Sequence, residues 1–237
     1  IKQHGKLIYN IWKVEIVEKV HYRKEIFPFQ WKIALSWISG YFVFQLFNPI
    51  LFASEGAVVA GQMGMTLVAL NGVLSLSFAW MSTKVPLFSG LIAQNKFNQL
   101  DSIFNQTLKK SSIVNLGGLV FFALALFLIR FFNLEIGGNS FGNRFLDYGP
   151  LLLMMVPVLL NHISGSWATY LRCHKKEPFL IFSIVTGILT MLSTVFLGTN
   201  FGIQGLTIGY FFIMLFTFPW AYQIFKTKKE DWHATSI

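Results

Sequence analysis

The sequence predicts an all-α polytopic membrane protein built as a bundle of six transmembrane helices. Three observations predict it. Hydrophobic residues make up 54% of the 237 and mean hydropathy is +0.56. Charged residues reach only 12%, about half the share of a soluble domain, so no charged shell is available to cover a core holding 26 phenylalanines. Lipid removes the need for that shell, because it accepts apolar side chains all round a helix. Finally, the charges cluster between apolar runs of about 20 residues, the length that crosses a hydrocarbon layer about 30 Å thick.

Six such runs occur, at 33–54, 57–81, 112–132, 149–171, 179–197 and 203–224. In lipid each must be helical, since an open strand would leave its backbone groups unpaired. Turn chemistry separates them: Glu55-Gly56, Gly137-Gly138-Asn139, Gly149-Pro150, Glu177-Pro178 and Gly198-Thr199-Asn200.

Charge supplies an independent test of direction. With the first residues on the cytoplasmic side, segments 1–32, 82–111, 172–178 and 225–237 hold seven, four, three and three Lys and Arg. That is 17 of the 19; only Arg130 and Arg144 fall on the other side. The asymmetry obeys the positive-inside rule for short loops and places both ends of this region in the cytoplasm. The net charge of +9 therefore points to an anionic membrane surface as partner and not to nucleic acid. One cysteine, Cys173, excludes an internal disulfide. Arg172, Lys175 and Lys176 surround it, which fits a reducing cytoplasm.

Two stretches outside the spans are amphipathic. Over 90–110, Phe97, Leu100, Ile103, Phe104 and Leu108 recur at three- and four-residue steps among polar residues. This predicts a helix lying on the inner membrane surface or packed on the cytoplasmic end of the bundle. Over 7–20, Ile8, Trp12, Ile16 and Val20 are four apart, though Lys13 to Val20 also alternates like a strand. The chain thus divides into a cytoplasmic linker at 1–32, a six-helix region at 33–225 and a cytoplasmic tail at 226–237. The isoleucine start and a charged opening without an apolar leader create the expectation of a piece of something longer.

No catalytic set stands out. An intramembrane serine protease needs a serine and a histidine on a later helix. His162 instead precedes Ser164 and Ser166 in its own span, and no later span holds a histidine. The histidines His4, His21, His162, His174 and His233 lack metal-ligand spacing, and no phosphate loop is present; neither metal nor cofactor is expected. Asn48-Pro49-Ile50 is similar to one half of a water-channel motif, but a second copy is missing.

Polar residues within spans are the informative ones, because lipid leaves them unsatisfied and they turn towards an interior. The first span holds Gln45 and Asn48, the second Gln62 and Asn71, and the fourth Asn161, His162, Ser164, Ser166 and Tyr170. They line a substrate cavity or hydrogen-bond helix to helix. Pro49 and Pro157 permit kinks. Lys84 and Arg172, at span ends, suit headgroup or diphosphate contact. Gly205 and Gly209 form a small-xxx-small pair.

Three stretches together resemble a known family. Residues 60–96, AGQMGMTLVALNGVLSLSFAWMSTKVPLFSGLIAQNK, resemble the second helix and following cytoplasmic segment of a lobe in polysaccharide exporters of the MOP (multidrug, oligosaccharidyl-lipid, polysaccharide) superfamily. Residues 202–209, GIQGLTIG, resemble the glycine-spaced entry to a lobe's last helix, and WKIALSWISGYFVFQLFNPILF resembles the first helix of the second lobe in O-antigen and lipopolysaccharide-type flippases. The resemblance covers about 28–225. It implies a C-terminal six-helix lobe whose N-terminal partner lobe precedes it, in the bacterial inner membrane. It implies translocation of a lipid-linked oligosaccharide by alternating access, without enzymatic chemistry. That family's basic cavity residues have no mid-span Lys or Arg counterpart here. A drug or metabolite antiporter of the same superfamily would need a span acid, for which Glu55 is the candidate. A membrane-embedded polysaccharide polymerase or glycosyltransferase would need larger loops than 133–148.

Overall fold

The computed structural model describes residues 21–136 and 139–234. The amphipathic pattern at 7–20 and the Gly137-Gly138 turn lie outside these residues. Among the described residues, six α-helical elements precede a final long one: α1 (Tyr22–Glu25), α2 (Phe27–Glu55), α3 (Ala57–Ser82), α4 (Val85–Ala93), α5 (Phe97–Phe131), α6 (Tyr148–Arg172) and α7 (Leu180–Ala234). Between α5 and α6, a two-residue antiparallel pair, β1 (Glu135–Ile136) with β2 (Asn139–Ser140), leads into a 3-10 turn at Phe141–Arg144.

Among the described residues, five helical stretches are long and apolar enough to cross a membrane: Phe27–Glu55, Ala57–Ala93, Phe97–Phe131, Tyr148–Arg172 and Leu180–Ala234. The last is 55 residues and breaks at Gly202, whose φ of 58° and ψ of −143° are not helical. It is therefore two limbs, 180–201 and 203–234, which brings the rods to six. Only glycine fits at the break. Its φ is left-handed, and a Cβ there would strike the Glu55 carboxylate. That carboxylate accepts the Ile203 N–H at 3.1 Å and caps the second limb. Gly205 and Gly209 let the limbs fold back closely: a Cβ on Gly205 would meet the Leu197 carbonyl, and one on Gly209 the Ser193 hydroxyl.

Large apolar side chains cover the outside of the bundle. Val58, Val68, Phe121 and Phe216 are each more than 70% exposed, as lipid-facing residues are. Inside, two apolar clusters stack along the bundle. One, around Phe47, Leu51, Met63, Leu146, Leu151 and Tyr210, fills the end nearest the β pair, the loop end. The other, around Met81, Phe88, Leu100, Phe104, Trp167 and Phe225, fills the opposite end. Lys84, Arg172, Lys176 and Lys229 gather there, so it is the basic end. In lipid such cores cohere through close packing, since no water is expelled; Trp167 stacks on Phe225 at 5.5 Å and Phe104 meets Tyr170 edge-on at 4.7 Å.

Segment 90–110 is not one helix. α4 ends at Ala93, Asn95 takes a left-handed φ of 54°, and residues from Phe97 onward continue straight into the third span. Asparagine tolerates that conformation better than most side chains. The apolar residues of the extension turn inward: Leu100 and Phe104 are fully buried in the basic-end core. α5 thus has 35 residues and is roughly 52 Å long, well beyond the hydrocarbon layer. Residues 226–234 likewise do not form a free tail. The last limb stays helical to Ala234 because its end is docked: Lys229 pairs with Asp101 at 2.7 Å, and His174 and Lys176 lie on the Trp232 ring.

Candidate functional site

A polar seam runs through the bundle where α3, α5 and α6 meet. Ser77 gives its hydroxyl proton to the Val73 carbonyl and accepts from Asn115 Nδ2 at 3.2 Å. One turn away, His162 Nε2 lies 3.1 Å from Ser111 Oγ. All four side chains are fully buried. Among the described residues, His162 Nδ1 and Asn115 Oδ1 have no hydrogen-bond partner. Gly165 clears space for Phe78, whose ring packs edge-on to the imidazole at 5.2 Å. Sequence reading found His162 but not its partners, because Ser77, Ser111 and Asn115 are small polar residues common in any membrane helix.

The Ser111–His162 pair has the serine-before-histidine order of an intramembrane serine protease, which Ser164 and Ser166 lack. Its surroundings do not make it a nucleophile. The Ser111 hydroxyl donates to the Leu108 carbonyl at 3.1 Å, and neither residue has any surface through which a substrate could approach. The pair ties α5 to α6.

The residues expected to line one cavity divide among six places. His162 and Ser166 lie inside; Ser166 donates back to the His162 carbonyl at 2.8 Å. Asn161 donates to Tyr210 Oη at 2.8 Å, joining α6 to the last limb. Asn48 sits between α2 and α3 against Gly64, with its Oδ1 buried and unpartnered among the described residues. Gln62 reaches the loop end and donates to the Asn143 carbonyl at 2.8 Å. Tyr170 stands at the basic end, donating to Asp101 Oδ1 at 2.6 Å, with His233 Nε2 3.1 Å away. Gln45 and Asn71 point out of the bundle and, among the described residues, carry no hydrogen bond. Pro49 is exposed within α2 and Pro157 buried within α6, and both helices continue past them. Lys84 is exposed at the start of α4, and Arg172 is held by the buried Glu177, with Nη2 at 3.0 Å from Oε1.

Arg130 carries more structure than its sequence position suggests. Its guanidinium donates to the carbonyls of Gly142, Phe145 and Leu146 at 3.0–3.3 Å and lies 4.6 Å from the Tyr148 ring centre. Thr66 accepts the Leu146 N–H at 3.0 Å. These bonds seal the loop end. No run of residues announces them, since the acceptors are backbone.

Among the described residues, no group of three or more His, Cys, Asp or Glu side chains is placed to hold a metal. No family model, curated protein or solved structure matches this chain. The chain is a multi-pass helical membrane protein, established by its long apolar helices and lipid-type surface.

Proposed function

We propose that this bundle is one lobe of a transporter that moves a lipid-linked oligosaccharide across the bacterial inner membrane by alternating access, with the basic end in the cytoplasm. One observation carries the reading. Gln45 and Asn71 are exposed amides on spanning helices with no partner in the described chain. Counted from the α2–α3 turn at Gly56, they sit roughly 17 and 22 Å into the bundle's length. An unpaired amide facing hydrocarbon costs several kcal/mol. A polar cavity shared with a second lobe would satisfy both, and amides suit sugar hydroxyls. The exposed Gly72, next to Asn71, has open space where a side chain would project. The positive-inside asymmetry supports the orientation, and the resemblance of 60–96 and 202–209 to polysaccharide exporters supports the substrate class.

The interior seam then serves as the rigid spine of the lobe, and its histidine is not assigned to substrate. The antiporter alternative loses its acid, because Glu55 caps the last limb.

The test is complementation in a strain lacking its oligosaccharide exporter. The full-length gene should restore surface polysaccharide, and Gln45→Leu with Asn71→Leu should abolish restoration while leaving membrane abundance unchanged. Undiminished restoration by the double variant would overturn the proposal.

A further inference from the structure

A cleft of about 510 Å³ opens at the basic end, away from Gln45 and Asn71. Three separate elements wall it: Phe29 and Ile33 of α2, Val85, Ser89, Ile92 and Ala93 of α4, and the α6 end from Thr169 to Lys175. The walls are mainly apolar and the rim is cationic. Lys175 lines the mouth and is exposed; Lys84 and Lys32, also exposed, directly precede the lining residues Val85 and Ile33. Among the described residues none of these three lysines has an ion-pair partner. Arg172 and Glu177 neutralise one another below the rim, so the lysine charge is uncompensated. The His174 ring also lines the cleft, and its Nε2 is buried with no hydrogen-bond partner among the described residues.

Position adds a second argument. Tyr22, Phe27 and Trp31, all more than 40% exposed, adjoin the α2 wall. Exposed aromatics beside lysines are the composition of a membrane–water interface. The cleft therefore opens at headgroup depth, with its apolar walls running towards the hydrocarbon. Its volume falls in the range of small-ligand sites.

We infer that this cleft binds an anionic glycerophospholipid of the leaflet at the basic end, with an acyl chain against Phe29, Ile33, Val85 and Ile92 and the phosphate headgroup held by Lys84 and Lys175. The lipid wedges α4 against α2 and α6, bracing the bundle where α3 passes into α5. A zwitterionic lipid would fill the same walls but gain little from the lysines, because its own cation offsets its phosphate. The inference is independent of the transport reading.

Native mass spectrometry of the purified chain tests it, with phosphatidylglycerol, phosphatidylcholine and undecaprenyl diphosphate as probes. Phosphatidylglycerol should be retained about tenfold over phosphatidylcholine. Lys84→Gln and Lys175→Gln should each lower its retention about fivefold. Ala93→Trp, which fills the cleft, should abolish it, while Val68→Trp on the lipid-facing side of α3 should not. Both lysines are exposed, so their variants fold even if Ala93→Trp does not, and circular dichroism checks each. Equal retention of the two phospholipids, or no change in the lysine variants, overturns the inference. Displacement of phosphatidylglycerol by undecaprenyl diphosphate also overturns it and assigns the cleft to a polyprenyl substrate.

Discussion

The two ends of the bundle are closed by different chemistry. At the loop end one guanidinium holds three backbone carbonyls, and Thr66 and Gln62 bind two further backbone groups. At the basic end the bonds run between side chains: Asp101 with Lys229 and Tyr170, Tyr170 with His233, Lys176 over Trp232. Backbone acceptors carry no net charge and do not titrate, so the loop end responds to pH and salt only through the Glu55 cap on the last limb and the 3.9 Å contact of Arg130 with the exposed Asp147. The basic end depends on ionised groups at a membrane surface and responds to both.

The contrast can be broken from either side. Arg130→Met should have the largest effect, lowering stability by about 3 kcal/mol or more, because partly buried carbonyls lose their donor. Arg130→Lys should recover less than half of that, since an ammonium cannot span three acceptors in a fork. Thermal unfolding in detergent measures both, and the loss should change little between low and high salt, because the only charged partner among the described residues is the exposed Asp147 at 3.9 Å. Gly202→Ala comes next, at about 2 kcal/mol, from left-handed strain and collision with Glu55; a smaller loss would mean that the limbs join differently. Asp101→Ala should cost about 1–2 kcal/mol at low salt and visibly less at high salt, where the Lys229 pair is screened.

Acid sharpens the comparison. Burial holds His174 below its ordinary value of 6.5, so the unfolded chain takes up that proton first. Its contribution is complete above pH 6.5 and is lost as pH falls through that value towards the lower folded one. His174→Gln should flatten the slope of stability against pH below 6.5, and an unchanged slope would remove His174 from the account. Burial also raises the Cys173 thiol, so maleimide labelling at neutral pH should be slow. Lys228→Ala should do least, under about 0.5 kcal/mol, because its Asp231 partner is an exposed i,i+3 neighbour.

Hydropathy was enough to read the rods, and charge the grouping of their ends. A break near the end of the fifth run was legible, but it was expected at Gly198-Thr199-Asn200; those residues stay helical and the chain breaks at Gly202, where the Glu55 carboxylate caps the next limb. Less legible was the continuation of α5 through Lys109 and Lys110, since a charged stretch before a span looks the same whether it lies flat or stands upright. The deciding fact is tertiary: Leu100 and Phe104 find an apolar partner in α6 and the last limb. The polar residues were legible as a set but not as a site. A one-residue step along a helix turns a side chain by about 100°, so Asn161 and His162 face different neighbours. Gln45 and Asn71 face outward for the same geometric reason, and no spacing rule separates them from Asn48 and Gln62. Arg130 looked like a lone loop charge because its partners are carbonyls.

Cysteine accessibility at positions 45 and 71 tests the transport reading most directly. In a Cys173→Ser background, Gln45→Cys and Asn71→Cys in native membranes should react with a charged, membrane-impermeant thiol reagent, while Phe121→Cys on the lipid-facing side of α5 should not. Reaction at 45 and 71 alone is the result of an open polar face. If both stay as unreactive as position 121, the two amides face lipid and the lobe has no cavity to share.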